Sequence, residues 1–207
     1  MKIMDEIYKL LNEMISEQKW ENIEPFLTET MEQAKEEDAH GMYVALGNEL
    51  LNFYRETNQF DKAFSLSDDI LLLMVQFQQE HSENFAYIMI NVAASYSGAG
   101  RFAEAESYYS RAVRVLDELR PGDIADEGQQ KYFDVYYVTA LCGIGECAYQ
   151  LGNISGALRA FENAAAESLK RNGAGEGTQI LWENCASLAA AINDEEKKKY
   201  YESLFSS

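Results

Sequence analysis

The chain has 207 residues, the length of one domain or one short repeat array, with 47% hydrophobic and 25% charged residues, a composition typical of a folded soluble protein. Its formal charge of −18, from 35 acidic and 17 basic residues, repels nucleic-acid phosphates and anionic lipid, so neither is an expected partner. The same charge either favours basic or neutral partners or serves solubility alone.

Only two prolines, Pro25 and Pro121, interrupt the sequence, and Ala, Glu, Leu and Tyr are abundant, which favours long helices over strands. The opening segment, Met1 to Leu10, carries Asp5 and Glu6 and no apolar block, so it does not read as a signal peptide. Residues 3–18 and 22–38 read as a degenerate helix pair turning near Trp20. Three better segments follow and align without gaps on Ala63, Ala105 and Ala157. Five residues before these anchors stand Asn58, Gly100 and Gly152, and three before stand Phe60, Phe102 and Ile154. Asn and Gly tolerate the left-handed conformation that ends a helix, and the apolar residue two further on starts the next one. Tyr54, Tyr96 and Ala148 lie nine before the anchors, and Ser67, Tyr109 and Phe161 lie four after. Offsets of three, four and seven share one helix face, so the pattern is helix, tight turn, helix, three times over.

The densest apolar run, Ile70 to Val75, is far shorter than the ~18 residues of a membrane span, and no membrane span is expected. Near the C-terminus, residues 178–192 read as another first helix and Asp194 to Phe205 as a short closing helix. Arg120 to Gly128 and Asn172 to Gly177 read as the main loops, the second as the most flexible point. The expected organisation is a single all-α domain over 1–207 with about ten helices. It comprises a hairpin at 1–39, repeats at 40–80, 81–121 and 129–171, and a capping hairpin at 176–207.

The segment Asn91 to Pro121 resembles the tetratricopeptide repeat, with Ala93, Tyr96, Gly100, Phe102, Ala105, Tyr109, Ala112 and Pro121 in that family's places. The anchors are 42 and 52 residues apart (105 − 63 and 157 − 105), against ~34 in the usual repeat. The longer period, with His40 and His81 just before first helices, resembles the kinesin light chain variety. The resemblance implies a right-handed α-solenoid of antiparallel helix hairpins whose first helices line an inner groove. It places that groove 18, 15, 14, 11 and 8 residues before each anchor.

The candidate peptide-binding residues on those positions are Asn48, Asn52, Arg55, Tyr87, Asn91, Glu146 and Tyr149. An asparagine amide both donates and accepts, so it can pair with a peptide backbone whatever the side chains; the alternative is that these asparagines cap loops or bind water. The chaperone-type carboxylate clamp needs basic residues where Thr139 and Gly143 stand, so an acidic tail is not the expected ligand. Tyr132, Phe133, Tyr136 and Tyr137 begin a long helix; Tyr132 and Tyr136 either extend the groove or pack on Leu116 and Leu119.

No catalytic or metal site and no cofactor is expected. The chain lacks P-loop, GxGxxG, HExxH and GxSxG patterns, and pairs such as Asp68–Asp69 look like solvated helix faces. Cys142, Cys147 and Cys185 are an odd number without CxxC spacing and read as reduced, buried thiols of a cytoplasmic protein. The expected function is a cytoplasmic adaptor or scaffold that holds a protein or peptide. The alternatives are a homo-oligomerisation module or, from another class, a small-molecule sensor or enzyme.

Overall fold

The computed structural model describes residues 4–119 and 127–205, without the side chains of 127–132. Ten helices and no strand occur among these residues. They are α1 (Met4–Ser16), α2 (Trp20–Glu36), α3 (His40–Glu56), α4 (Phe60–Gln76), α5 (Glu83–Gly98), α6 (Phe102–Glu118), α7 (Glu127–Gln150), α8 (Ile154–Asn172), α9 (Glu176–Ala191) and α10 (Glu195–Phe205).

One turn design recurs along the chain. Gln18, Asp38, Asn58, Gly100, Gly152 and Asn193 all have φ between 53° and 78°, and each is followed two residues later by a new helix. At residue 58 the backbone N–H bonds Arg55 O at 3.1 Å, and the N–H of Gln59 reaches back to Tyr54 O at 2.7 Å. The same pair recurs at Gly100 (Ser97 O, 2.9 Å) with Arg101 (Tyr96 O, 2.9 Å) and at Gly152 (Tyr149 O, 2.9 Å) with Asn153 (Ala148 O, 2.8 Å). This is the Schellman arrangement, in which otherwise orphaned helix-end carbonyls are satisfied. Because the residue after the left-handed one already caps the next helix, the turn is as short as a helix hairpin allows.

The chain divides into two compact units, residues 1–79 and 80–207. In the first, α1 packs on α2, α2 on α3 and α3 on α4. Ile7, Ile23, Leu27, Leu46, Leu51 and Ile70 form its dry centre. Ile23, at the degenerate repeat's anchor position, is as buried as the alanines it replaces. Gly47 lets α4 approach α3, since a Cβ there would stand 2.6 Å from the Ile70 Cδ1. A polar tie joins three helices: the Tyr54 hydroxyl donates to Glu24 Oε1 at 2.9 Å, and Lys62 Nζ bonds the same oxygen at 2.7 Å.

That tie gives a pH prediction. Lys62 first, and then Tyr54, hold the Glu24 carboxyl below the usual carboxylate range, against the opposing effect of burial. A depressed folded-state pKa contributes stability above the ordinary carboxylate value, and this is lost as pH falls through the folded one. The pair is half-exposed, so its worth is only ~0.5–1 kcal/mol at neutral pH. Urea unfolding of the parent and Glu24→Gln should differ by that amount at neutral pH and converge in acid. A gap that persists in acid would mean that packing, not charge, is what the substitution removes.

In the second unit each helix packs on the next from α5 to α10, and α5 also touches α7. Phe85, Ala93, Ala105 and Leu116 are buried in its first part. Ala157, Phe161, Leu181, Trp182, Cys185 and Leu188 form one apolar cluster in its last part. The chain enters α5 through Ser82, whose Oγ accepts the Phe85 N–H at 3.1 Å, a side-chain N-cap. Two expected loops are shorter than the sequence suggests. Glu127 and Gly128 already belong to α7, and α8 runs through Asn172 while α9 starts at Glu176, leaving only 173–175 between them. The rest of the Arg120–Gly128 loop lies outside the described residues.

Candidate protein-binding surface

The first helices of the hairpins carry the candidate residues. In the first unit, α3 presents Glu49, Asn52 and Arg55 half-buried along one side. Asn48 is different: at 4% exposure it is buried and has no open face to offer a ligand. Tyr8 of α1 hydrogen-bonds the Glu49 carboxyl of α3. Burial, outweighing that hydrogen bond, pushes the Glu49 carboxyl above the usual range. The amide oxygen of Asn52 is buried without a hydrogen-bond partner among the described residues. Arg55 turns along its own helix, its Nη2 3.0 Å from Glu56 Oε1.

In the second unit, α5 and α7 lie in contact. The rings of Tyr87 and Tyr136 stack across them at 4.6 Å between centroids. Tyr136 therefore packs on Tyr87, a groove position by the resemblance. The side chain of Tyr132 lies outside the described residues. Asn91 is half-buried beside Ala94 and Ser97, whereas Thr139, Glu146 and Tyr149 on α7 are exposed. Burial raises the Glu146 carboxyl above its ordinary range although the residue as a whole remains open to solvent.

The other two aromatics of the tyrosine cluster serve packing. Phe133 is buried, and the Tyr137 hydroxyl donates to Asp117 Oδ1 at 2.5 Å. His40 opens α3 and stacks on Phe77 at 4.0 Å, and His81 Nδ1 lies 3.0 Å from Glu118 just before α5. The three cysteines are free thiols; burial pushes Cys142 and Cys147 up to about 11 and Cys185 to about 12, so none is a thiolate at neutral pH. Among the described residues no three His, Cys, Asp or Glu side chains gather as a metal site would need. No helix among them is long and apolar enough to cross a membrane.

No family model matches the sequence, and no curated protein matches it. Solved structures do match. BtubC (BKLC) from P. vanneervenii superposes with a TM-score of 0.79 over 96% of this chain and 76% of that one, at 18% identity. A Podosopora anserina kinesin light chain protein of nearly identical TPR-like repeats superposes at 0.74, over 98% and 92%, at 12% identity. A point variant of that same protein gives 0.73, over 97% and 93%, at 12% identity. The fold is a tetratricopeptide-like helix-hairpin array.

In this tetratricopeptide-like array α1 and α3 are the first helices of the first unit, and α5, α7 and α9 those of the second. The Tyr8–Glu49 and Tyr87–Tyr136 contacts are thus contacts between first helices. A Cβ at Gly143 would stand 2.4 Å from the Tyr109 ring, so a basic side chain at that position requires the ring to shift. Glu49 stands 14 residues before its anchor, among the positions the resemblance gives to the groove, whereas Tyr8 lies outside the candidates that sequence reasoning named. Tyr8 precedes the three aligned repeats, although counted from Ile23, the anchor position of the degenerate hairpin, it falls at the groove offset of 15.

Proposed function

We propose that the chain is a protein-binding scaffold, without catalytic activity, that holds a protein segment against the first-helix faces of its hairpins. The observation that carries this reading is the open face of α7, where Tyr149, at 52% exposure, projects one turn from the exposed Glu146. A large aromatic left in water on a helix face gains most when a partner covers it, and tyrosine gives contact area at low entropy cost. Asn91 and Ser97 on the adjoining face of α5 supply amide and hydroxyl groups suited to a peptide backbone. Asn52, with its unmatched buried oxygen, offers the same in the first unit. The acidic chain fits a cytoplasmic setting and a soluble partner.

A peptide selected on the immobilised protein provides the test. Calorimetry with the parent and with Asn91→Ala/Tyr149→Ala should show affinity falling about tenfold, equivalent to ~1.4 kcal/mol. Tyr149 is exposed and Asn91 half-buried, so thermal melts of the two proteins should nearly coincide. Equal affinities would place binding away from these faces.

A further inference from the structure

The first unit also has concavities away from its first-helix side. Two adjoining hollows of about 270 Å³ and 320 Å³ share Tyr43 and Asp69 and form one cleft between α2 and α4, floored by α3. Leu50, Leu66 and Leu72 supply apolar surface to a cleft that is otherwise mixed in character, and Leu72 is 59% exposed at one end. Glu32 on the α2 wall and Asp69 on the α4 wall flank Tyr43, and among the described residues neither carboxylate has an ion pair or hydrogen bond.

We propose that this cleft is a second docking site, which takes a partner segment carrying an arginine next to an apolar residue. Charge complementarity selects the arginine. Two carboxylates without an ion pair among the described residues line opposite walls of the cleft beside Tyr43, and of the lysines at the rim Lys62 is already engaged by Glu24. Lys35 stands at the far hollow together with Asp38. A guanidinium has five N–H donors in a planar fork, enough to reach both walls, and its plane stacks on a tyrosine ring. Its aliphatic stem covers apolar floor while the head stays polar. Lysine, a compact point charge, reaches one wall at a time. The apolar neighbour covers Leu72, whose exposure on an otherwise amphipathic helix is otherwise a cost. The hydroxyl of Tyr43 is the third polar group: burial first, then Asp69 and Glu32, raise its pKa, so it remains a neutral donor and acceptor at the cleft floor.

The test uses the full chain and a fluorescein-labelled peptide of alternating leucine and arginine, with citrulline in place of arginine as its neutral counterpart. The arginine peptide should bind the parent and the citrulline peptide much more weakly. Glu32→Gln/Asp69→Asn should weaken the arginine peptide about tenfold, a loss of the size expected for two partly exposed charge contacts. Glu195→Gln/Glu196→Gln, which removes the same charge from α10, should change binding little. Both cleft carboxylates are exposed, so circular dichroism melts of the double variant should match the parent. Equal losses in the cleft and α10 variants would show attraction to the overall negative charge and overturn the proposal. Loss confined to Glu146→Gln would put the peptide on the α7 face instead and also overturn it. A change in sedimentation of the unliganded protein on Glu32→Gln/Asp69→Asn would assign the cleft to a second copy of the chain, again against the proposal.

Discussion

Trp182→Ala is expected to destabilise the protein by ~3–5 kcal/mol, whereas Trp20→Ala should change stability by no more than about 0.5 kcal/mol. The chain has only these two tryptophans, and the structure places them in opposite environments: Trp182 is 6% exposed and Trp20 50% exposed. Trp182 lies on α9 within the cluster of Ala157, Phe161, Ala164, Cys185 and Leu188, where small alanines hold α8 and α9 close. Deleting an indole there removes its transfer free energy and leaves a cavity that stiff helices cannot close. Trp20 opens α2 at the first turn, where its ring has water on one side. Urea unfolding followed by circular dichroism measures both costs. Fluorescence checks the assignment: the Trp20→Ala protein should retain a blue-shifted buried emission and the Trp182→Ala protein a red-shifted one. Equal costs for the two substitutions would mean that α9 is not built into the core of the second unit and that its repeat register is misplaced.

The repeat architecture was legible where residue type and backbone need coincide. Asn58, Gly100 and Gly152 take the left-handed conformation that their side chains tolerate, and so announce three turns in advance. Gln18 and Gln78 adopt the same geometry although glutamine has no preference for it, so residue type does not announce those two turns, whereas Asp38 shares the tolerance of asparagine. Their strain of ~1–2 kcal/mol each is offset by the same pair of backbone hydrogen bonds that closes the glycine turns. The binding face was less legible. The offset of 15 before the anchor points to the groove, but Asn48 and Ile90 are buried there and Cys142 is half-buried. Neighbouring positions on a helix differ by about 100°, so an offset on the edge of the face turns inward with a small rotation. The positions 11 and 8 before the anchor have Glu146 and Tyr149 exposed and Asn52, Arg55, Ala94 and Ser97 half-buried. The cleft between α2 and α4 left no mark in the sequence, because Glu32, Tyr43 and Asp69 lie on three helices and at no shared repeat offset.

Arg171 illustrates the same limit and gives the second large effect, since its partners are 37 residues apart in one case and 4 in the other. It sits near the end of α8 with its guanidinium joined to Asp134 of α7 and, at 2.9 Å, to Glu167 Oε2. The same plane lies 5.4 Å from the Phe133 ring centre and 5.5 Å from that of Tyr137. All three charged side chains are largely withdrawn from water, at 17%, 18% and 27% exposure. Arg171→Met keeps most of the stem but takes the guanidinium away from two partly buried carboxylates and removes both cation–ring contacts. The expected cost is ~2–3 kcal/mol, above the usual worth of a surface ion pair because the two carboxylates lose the guanidinium donors without regaining full hydration. Arg171→Lys should recover only part of it, since an ammonium cannot engage both carboxylates with a planar fork while stacking on two rings. A double-mutant cycle with Asp134→Asn isolates the α7–α8 pair and should give a coupling of ~0.5–3 kcal/mol that changes little with added salt, because withdrawn pairs are weakly screened. A coupling near zero, or an Arg171→Met protein that unfolds like the parent, would make the α7–α8 junction a matter of apolar packing alone. Tyr137 and Phe133 would then hold the long helix in place without the help of charge.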